Sequence, residues 1–385
     1  MTDPVAPITD FSQLAYVYTE PECHAVLKQD FEDFQVEEII GFEFSGSGDH
    51  LCLQIRKIDL TTIDVAKIIA RVYGVRLADI GYGGMKDRRG VCTQWFSIPR
   101  TGNERIDPAK LENDNLTVID ARDNDRKIRI GSHRANLFKI CLRELKGAEI
   151  KLRERVTKIA SEGVPNYFGP QRFGRNMANL HRAREYFADL GEPATDRLSK
   201  KFRKGFRKSM MLSSVRSFLF NKILSSRVEN GSWNQIMDGE IFNLDGTGRF
   251  FDPYASGQTG SEAEEADAAL QEKALRGRLE ALDVHPTGLL FGKINPKDRY
   301  LASGAVAQLE NSIVSQYPEM CQGLVTLGVD ASRRALRLVP GDLRIRTINP
   351  DTVELQFSLG TGSYATAVLR EICQTHEPSA SGLAI

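Results

Sequence analysis

The sequence predicts an α+β fold in which one sheet domain is interrupted by a large, mainly helical insertion. Short runs of alternating apolar and polar residues fill both ends of the chain, whereas the middle repeats its apolar residues near 3.6. The length of 385 residues, at 41% hydrophobic and 26% charged, supplies core for two to three domains of roughly 150 residues each. That mixture is ordinary for globular chains and excludes a disordered one.

Between about Val26 and Ile55, FQVEEI and LCLQI read as strands separated by the turn-like SGSGDH. A helix follows in IDVAKIIARVYG, with Thr62 expected as N-cap, Val65, Ile68, Ile69 and Val72 as its apolar stripe, and Gly74 as its stop. IGYGGMKDRRG is a glycine-rich strand and loop leading into the strand VCTQWFSIP. RKIRI, the turn GSHRAN and LFKICLREL suggest a hairpin, and KLRERVTKIASEG a helix closed by Gly163 with Pro165 just beyond. From about Asn176 to Asp283, NLHRAREYFADLG, SMMLSSVRSFLFNKILSSRV and AEEADAALQEKALRGRLEALD are helical. From about Arg334 strands return in ALRLVP, LRIRTI and VELQFSL. A last helix, SYATAVLREICQ, is expected to be capped by Ser363, and the tail EPSASGLAI to be mobile.

Fifty-one Lys and Arg balance fifty-one Asp and Glu, but the charges are segregated. Residues 1 to 60 hold 12 acids against 3 bases, residues 131 to 230 hold 22 bases against 9 acids, and residues 231 to 290 hold 11 acids against 4 bases. A neutral chain can therefore present a cationic face. The run KKFRKGFRK, with Lys200, Lys201, Arg203 and Lys204 interleaved by Phe202 and Phe206, combines phosphate-contacting charge with rings able to stack on bases. Solvated helix faces are the rival reading. MTDPVAPITD shows neither the basic nor the apolar region of a leader, and no apolar stretch reaches the 18 or so residues of a membrane span. Cysteines 23, 52, 92, 141, 321 and 373 form no close pair and accompany no histidine cluster, so no metal site or disulfide framework is expected, and a reducing cytoplasm fits.

Three segments carry candidate chemistry. In GYGGMKDRRGVCTQWFS, Asp87 sits in a glycine-rich loop flanked by Lys86, Arg88 and Arg89. Those cations would favour an ionised carboxylate, available as nucleophile or base, if they point towards it; an exposed charged turn is the alternative. A phosphate loop is excluded because no Gly-Lys-Ser/Thr ends the glycines, and the GxGxxG pattern is not completed. In ANLF, Asn136 and Phe138 share one face if the segment is a strand, joining an amide to a stacking surface. PNYFGPQRFGR, with Arg172 among three aromatics, suits an ordered loop facing a planar anionic ligand, or a packed loop without function.

GYGGMKDRRGVCTQWFS, the NLF element, NYFGPQRFGR, HPTGLLFG from His285 and GSYATAVLRE from Gly362 occur in an order that resembles the TruD family of tRNA pseudouridine synthases. The similarity runs from about Leu27 to Glu371. It implies a mixed, largely antiparallel sheet of pseudouridine-synthase type, with catalytic parts at 1–175 and 333–385 around an insertion at 176–332. It implies isomerisation of a tRNA uridine, in bacteria characteristically at position thirteen, with no metal or cofactor. Asp87 corresponds to the essential aspartate, Asn136 and Phe138 to the Asn-x-Phe element, with Phe138 stacking on the base, and Phe357 to an aromatic bordering the site. Lys28 and Glu37 are matched to the N-terminal lysine and the EDFxVxE pattern, in binding or orienting roles. Lys86, Arg88, Arg89, Arg172 and the Lys200 to Lys208 run are expected to hold RNA. Gly83 and Gly90 stand where alanine is usual, and Gly360 and Thr361 replace a common Leu-Pro-x-Gly turn.

Isomerisation breaks the N1 to C1′ bond, turns the uracil and joins C5 to C1′. An aspartate could attack C1′, abstract the C2′ proton or add to C6. The released base must be retained while it turns, which a stacking ring permits and fixed hydrogen bonds would hinder. The target nucleotide must leave its stack, so basic surface elsewhere has to hold the flanking backbone. A noncatalytic RNA-binding protein, or a synthase acting on another RNA, remains the alternative; a monomer is expected.

Overall fold

A computed structural model describes residues 10–100, 107–190, 206–254, 262–295 and 300–378. Two compact units divide it: Pro21–Ser161 with Pro340–Ala365 and Ile372–Ile385, and Glu162–Val339 with Met1–Glu20 and Thr366–Glu371.

The first unit opens with strands β1 (His24–Leu27), β2 (Phe34–Ile40) and β3 (His50–Ile58). Helix α1 spans Thr62–Val72, followed by β4 (Gly81–Tyr82), β5 (Val91–Pro99), β6 (Leu116–Asn124), β7 (His133–Lys146) and helix α2 (Glu149–Glu162). After the second unit, with strands β8 (Val164–Pro165), β9 (Phe242–Leu244), β10 (Phe250–Phe251), β11 (Val284–Leu290), β12 (Ser332–Ala335) and β13 (Arg337–Leu338), the chain returns in β14 (Gly341–Asn349), β15 (Thr352–Gly360) and β16 (Gln374–His376).

Among the described residues these first-unit strands form a ten-stranded sheet in the order β14-β15-β7-β2-β5-β3-β6, with β1 between β7 and β16 and β4 on β5. Only β2/β5 and β1/β16 run parallel, so the sheet is mixed and largely antiparallel as expected. Sequence-distant strands meet at its centre, where β7 carries β2 on one side and β15 on the other. Alternation assigns the faces: Phe34, Val36 and Glu38 of β2 share one face with Asn136 and Phe138 of β7 and Phe357 of β15. Helix α1 covers this face farther along, its Val65, Ala66 and Ile69 packed with Leu53, Ile55, Phe96 and Ile98. Each such buried aliphatic side chain is worth about 1.5–3 kcal/mol. On the other face Trp95 and Cys52 pack with Ile128, Phe42 and Phe44.

Three local expectations change. The N-cap of α1 is Thr61, which forms a capping box with Asp64; Thr62, freed from that task, turns its hydroxyl to Gln94. RKIRI is not a hairpin strand, because β7 pairs along its length with β2 and β15. Strand β6, unread in the sequence, instead pairs with β3 at the sheet edge. The last helix, Ala365–Ile372, starts two residues beyond Ser363.

The second unit is helical where the 3.6 period predicted, with helices Ala178–Asp189, Phe206–Glu229 and Glu262–Glu280. It also holds two helices past Asp283, Gly304–Val314 and Pro318–Thr326, and the four-stranded sheet β10-β9-β11-β12. Buried ion pairs organise it, Arg227 with Glu240 at 2.7 Å and Arg333 with Glu310 at 2.6 Å. Burial pushes the Glu240 carboxyl above its ordinary range, against the opposing pull of Arg227.

Candidate active site

Several contacts fasten the loop between β4 and β5, from which the Asp87 carboxylate projects. Lys86 N donates to Thr62 Oγ1 at 3.0 Å, and Gln94 Nε2 donates to the Gly84 carbonyl at 3.2 Å. His133 Nδ1 lies 3.1 Å from the Gly83 carbonyl, while Gly131 N donates to that same oxygen at 2.7 Å. Burial, with Lys86 nearby, holds the His133 imidazole below its usual pKa and so neutral. At Gly83 a Cβ would stand 3.1 Å from Glu38 Oε2 and His133 Nδ1, and Gly90 has φ +150 with its Cβ position 2.5 Å from the Phe34 carbonyl. A side chain at position 90 would be strained, and one at position 83 would need Glu38 or His133 to give way.

Asp87 emerges from this scaffold with its side chain 43% exposed and Oδ1 3.5 Å from Lys28 Nζ. Lys28 adopts φ +58 at the end of β1, lies 4.2 Å above the Phe34 ring, and also reaches Glu377 at 3.5 Å. The cation paired with Asp87 is therefore Lys28 and not one of its sequence neighbours. Lys86 turns inward to Glu38 Oε2 and Asn136 Oδ1, both at 2.7 Å. Arg88 pairs with Asp59 at 3.0 Å, and Arg89 is half-buried. Charge adjacency in sequence failed here because successive loop residues point in different directions.

Phe138 is 7% exposed and stacks on Phe357, with centroids 5.4 Å apart and planes at 21°. Phe34 meets Phe138 edge-on at 6.2 Å. Phe357 is fully buried, so it backs the Phe138 ring and offers no surface of its own to a base.

Glu37 requires correction. Its side chain is exposed and lies on the opposite sheet face, registered with Thr93 and Leu137. The carboxylate at the site is Glu38, fully buried, paired with Lys86 and accepting from Trp95 N at 3.2 Å. Strand period was the available signal: in FQVEE the residue two beyond Val36 shares the face of Phe34. Thr62, Gln94 and His133 were also missed, since a single buried polar residue carries no recognisable spacing.

In the second unit the aromatics of NYFGPQRFGR are buried, Tyr167, Phe168 and Phe173 among them, which makes this a packed loop. Arg172 donates to Ser217 Oγ at 3.3 Å and stands 5.6 Å from the Phe168 ring. Lys200, Lys201, Arg203 and Lys204 lie outside the described residues. Among the described residues no group of three His, Cys, Asp or Glu side chains is placed to hold a metal ion, and no helix is long and apolar enough to cross a membrane.

Comparison with known proteins places the chain in a family. The family model of tRNA pseudouridine synthase D (TruD) matches residues 10–189 and 192–372. The chain belongs to the TruD family. Relatives include tRNA pseudouridine synthase D of Methylococcus capsulatus, 39% identical over 94% of this chain and 95% of that protein. That of Pseudomonas putida is 37% identical over 92% of each. The crystal structure of the putative TruD protein of Methanosarcina mazei has the same fold, with a TM-score of 0.64 and 23% identity over 93% of this chain and 95% of that one. TruD members are isomerases, and the mixed sheet described above is this chain's version of that fold.

Proposed function

We propose that this chain converts a uridine of tRNA, at position thirteen, to pseudouridine, with Asp87 as the reactive carboxylate. The observation that carries the reading is the Asp87 side chain, exposed at the end of an immobilised loop with Lys28 on one oxygen. That cation balances the carboxylate in the resting site and leaves it able to reach a nucleotide. Attack at C1′, removal of the C2′ proton and addition at C6 all call for such a group. The reaction is an isomerisation: the N1–C1′ bond breaks, the C5–C1′ bond forms, C5 gives up a proton and N1 gains one. No electrons are exchanged with an external partner, so the chemistry asks for no metal or cofactor.

Phe138, backed by Phe357, would support the freed uracil through its rotation. Asn136, held by Lys86, supplies an amide beside that ring. Extrusion of the target nucleotide requires a grip on the flanking backbone. The insertion expected over 176–332 falls within the unit Glu162–Val339, and we assign that grip to it, with the Lys200 to Lys208 run taking phosphates and Arg172 contributing. The protein acts as a monomer in the cytoplasm in this reading. Mapping the modified nucleotide in bulk tRNA exposed to the protein tests the substrate assignment: pseudouridine at position thirteen supports it, and modification confined to another position or another RNA overturns it.

A further inference from the structure

Lys57 belongs to none of the groups assigned above. It sits on β3, fully buried, on the face that carries Cys92 and Gln94. Its Nζ donates to two main-chain carbonyls, Leu60 O and Asp87 O, each at 2.6 Å. Cys92 Sγ donates to the same Asp87 oxygen at 3.4 Å. Removing an ammonium from water costs several kcal/mol, and among the described residues no carboxylate lies within ion-pair distance of this one. Burial lowers the Lys57 pKa from its ordinary value, while Cys92 and the Asp87 carboxylate pull it back up and Lys86 adds to the lowering. A methionine would fill much of the same space without that cost, but it would leave both carbonyls without this donor. Lys86 N tied to Thr62 and Asp87 O tied to Lys57 hold the main chain before and after the Asp87 Cα, while the side chain is 43% exposed.

We propose that Lys57 is a positioning residue for the reaction, pinning the Asp87 main-chain carbonyl from beneath so that the carboxylate is held in its reactive place beside Lys28. The inference rests on the assignment of Asp87 as the reactive carboxylate. Loss of the pin frees the loop peptide, and a displacement near 1 Å at a reacting group costs on the order of 100-fold in rate. The groups facing this loop are Lys28, Glu377, Glu38, Lys86, His133, Cys92 and the Arg88–Asp59 pair, and none of them donates to that carbonyl except Cys92.

The test is Lys57→Met in steady-state kinetics on tRNA, with folding checked by urea denaturation. The expected result is a kcat lowered roughly 100-fold with KM changed less than about twofold, the split that marks loss of a transition-state interaction. A folded variant whose kcat stays within about threefold of wild type overturns the proposal. If Lys57→Met does not fold, the Nζ of Lys57 is followed by 15N NMR in wild type and in Asp87→Asn. A further lowering of the Lys57 pKa in Asp87→Asn supports the coupling, and an unmoved titration overturns it. Wild-type protein inactive on every RNA would overturn the functional assignment instead, and the NMR comparison would then still decide whether Lys57 and Asp87 are coupled.

Discussion

Glu38→Gln is the sharpest test of how the site is held together. Lys86 and Glu38 are 4% and 0% exposed, with Nζ 2.7 Å from Oε2. At an effective dielectric near 20 their attraction is about 6 kcal/mol before desolvation is counted. Breaking a buried pair by neutralising one partner costs about 3–5 kcal/mol, because the other charge stays behind unpaired. Glutamine keeps the shape and can still accept from Trp95 N, so a loss of about 3 kcal/mol is expected. The assay is urea denaturation followed by tryptophan fluorescence. The chain has two tryptophans, Trp95 in the unit that holds Asp87 and Trp233 in the other, so a Trp233→Phe background isolates the relevant transition. Glu37→Gln, one residue away on the opposite face, is the control and should move stability by less than about 0.5 kcal/mol. Glu38→Leu combined with Lys86→Met should recover most of the loss, since a buried ion pair replaced whole is often neutral. A Glu38→Gln protein within about 1 kcal/mol of the parent, or one matched by Glu37→Gln, would refute the buried pair.

The His133 pKa is lowered in the folded state, so between the folded value and the ordinary value of 6.5 the unfolded chain binds more protons and stability rises with pH. Its contribution is complete above pH 6.5 and is lost on acidification towards the folded value. Trp95-monitored stability should therefore fall as pH drops below about 6.5, and His133→Gln should flatten that slope; an equal slope in the variant would assign the effect elsewhere, His50 being the other histidine in this unit held down by burial. Charge reversal at Lys200, Lys201, Arg203 and Lys204 should weaken tRNA binding and reduce its salt dependence, measured as the slope of log K against log salt. Unchanged affinity and slope would return that run to a solvated surface.

The period-2 and period-3.6 patterns exposed the strands at both ends and the helices between them, because side-chain direction repeats with the backbone. They did not expose β6, whose sequence LTVIDARDN mixes charges into an edge strand with little to bury. Nor could they show that β7 is central, since its partners β2 and β15 lie about a hundred and two hundred residues away in the chain. Asp87 was singled out because it sits in a long, specific motif, whereas Asn136 and Phe138 sit in a three-residue element that stands out only in company with the others. Phe357 was expected to border the site, and its burial behind the Phe138 ring depends on the packing of two strands. Glu37 was named from the EDFxVxE pattern, and strand alternation puts its neighbour Glu38 on the face of Phe34 and Asn136 instead. The Lys28–Asp87 contact was legible only as two separate motif residues, and the Lys57 contact not at all: a lysine bonded to main-chain oxygens leaves no pattern in side-chain chemistry.

The central claim is that Asp87 drives isomerisation of a tRNA uridine. Tritium release from tRNA labelled at uracil C5 measures the departure of the C5 proton, and the comparison of wild type with Asp87→Asn isolates the carboxylate at nearly constant shape. The account predicts release by wild type, none above background by Asp87→Asn, and tRNA binding retained by both. Release by Asp87→Asn at the wild-type rate, or a loss of release that only follows a loss of binding, would contradict it.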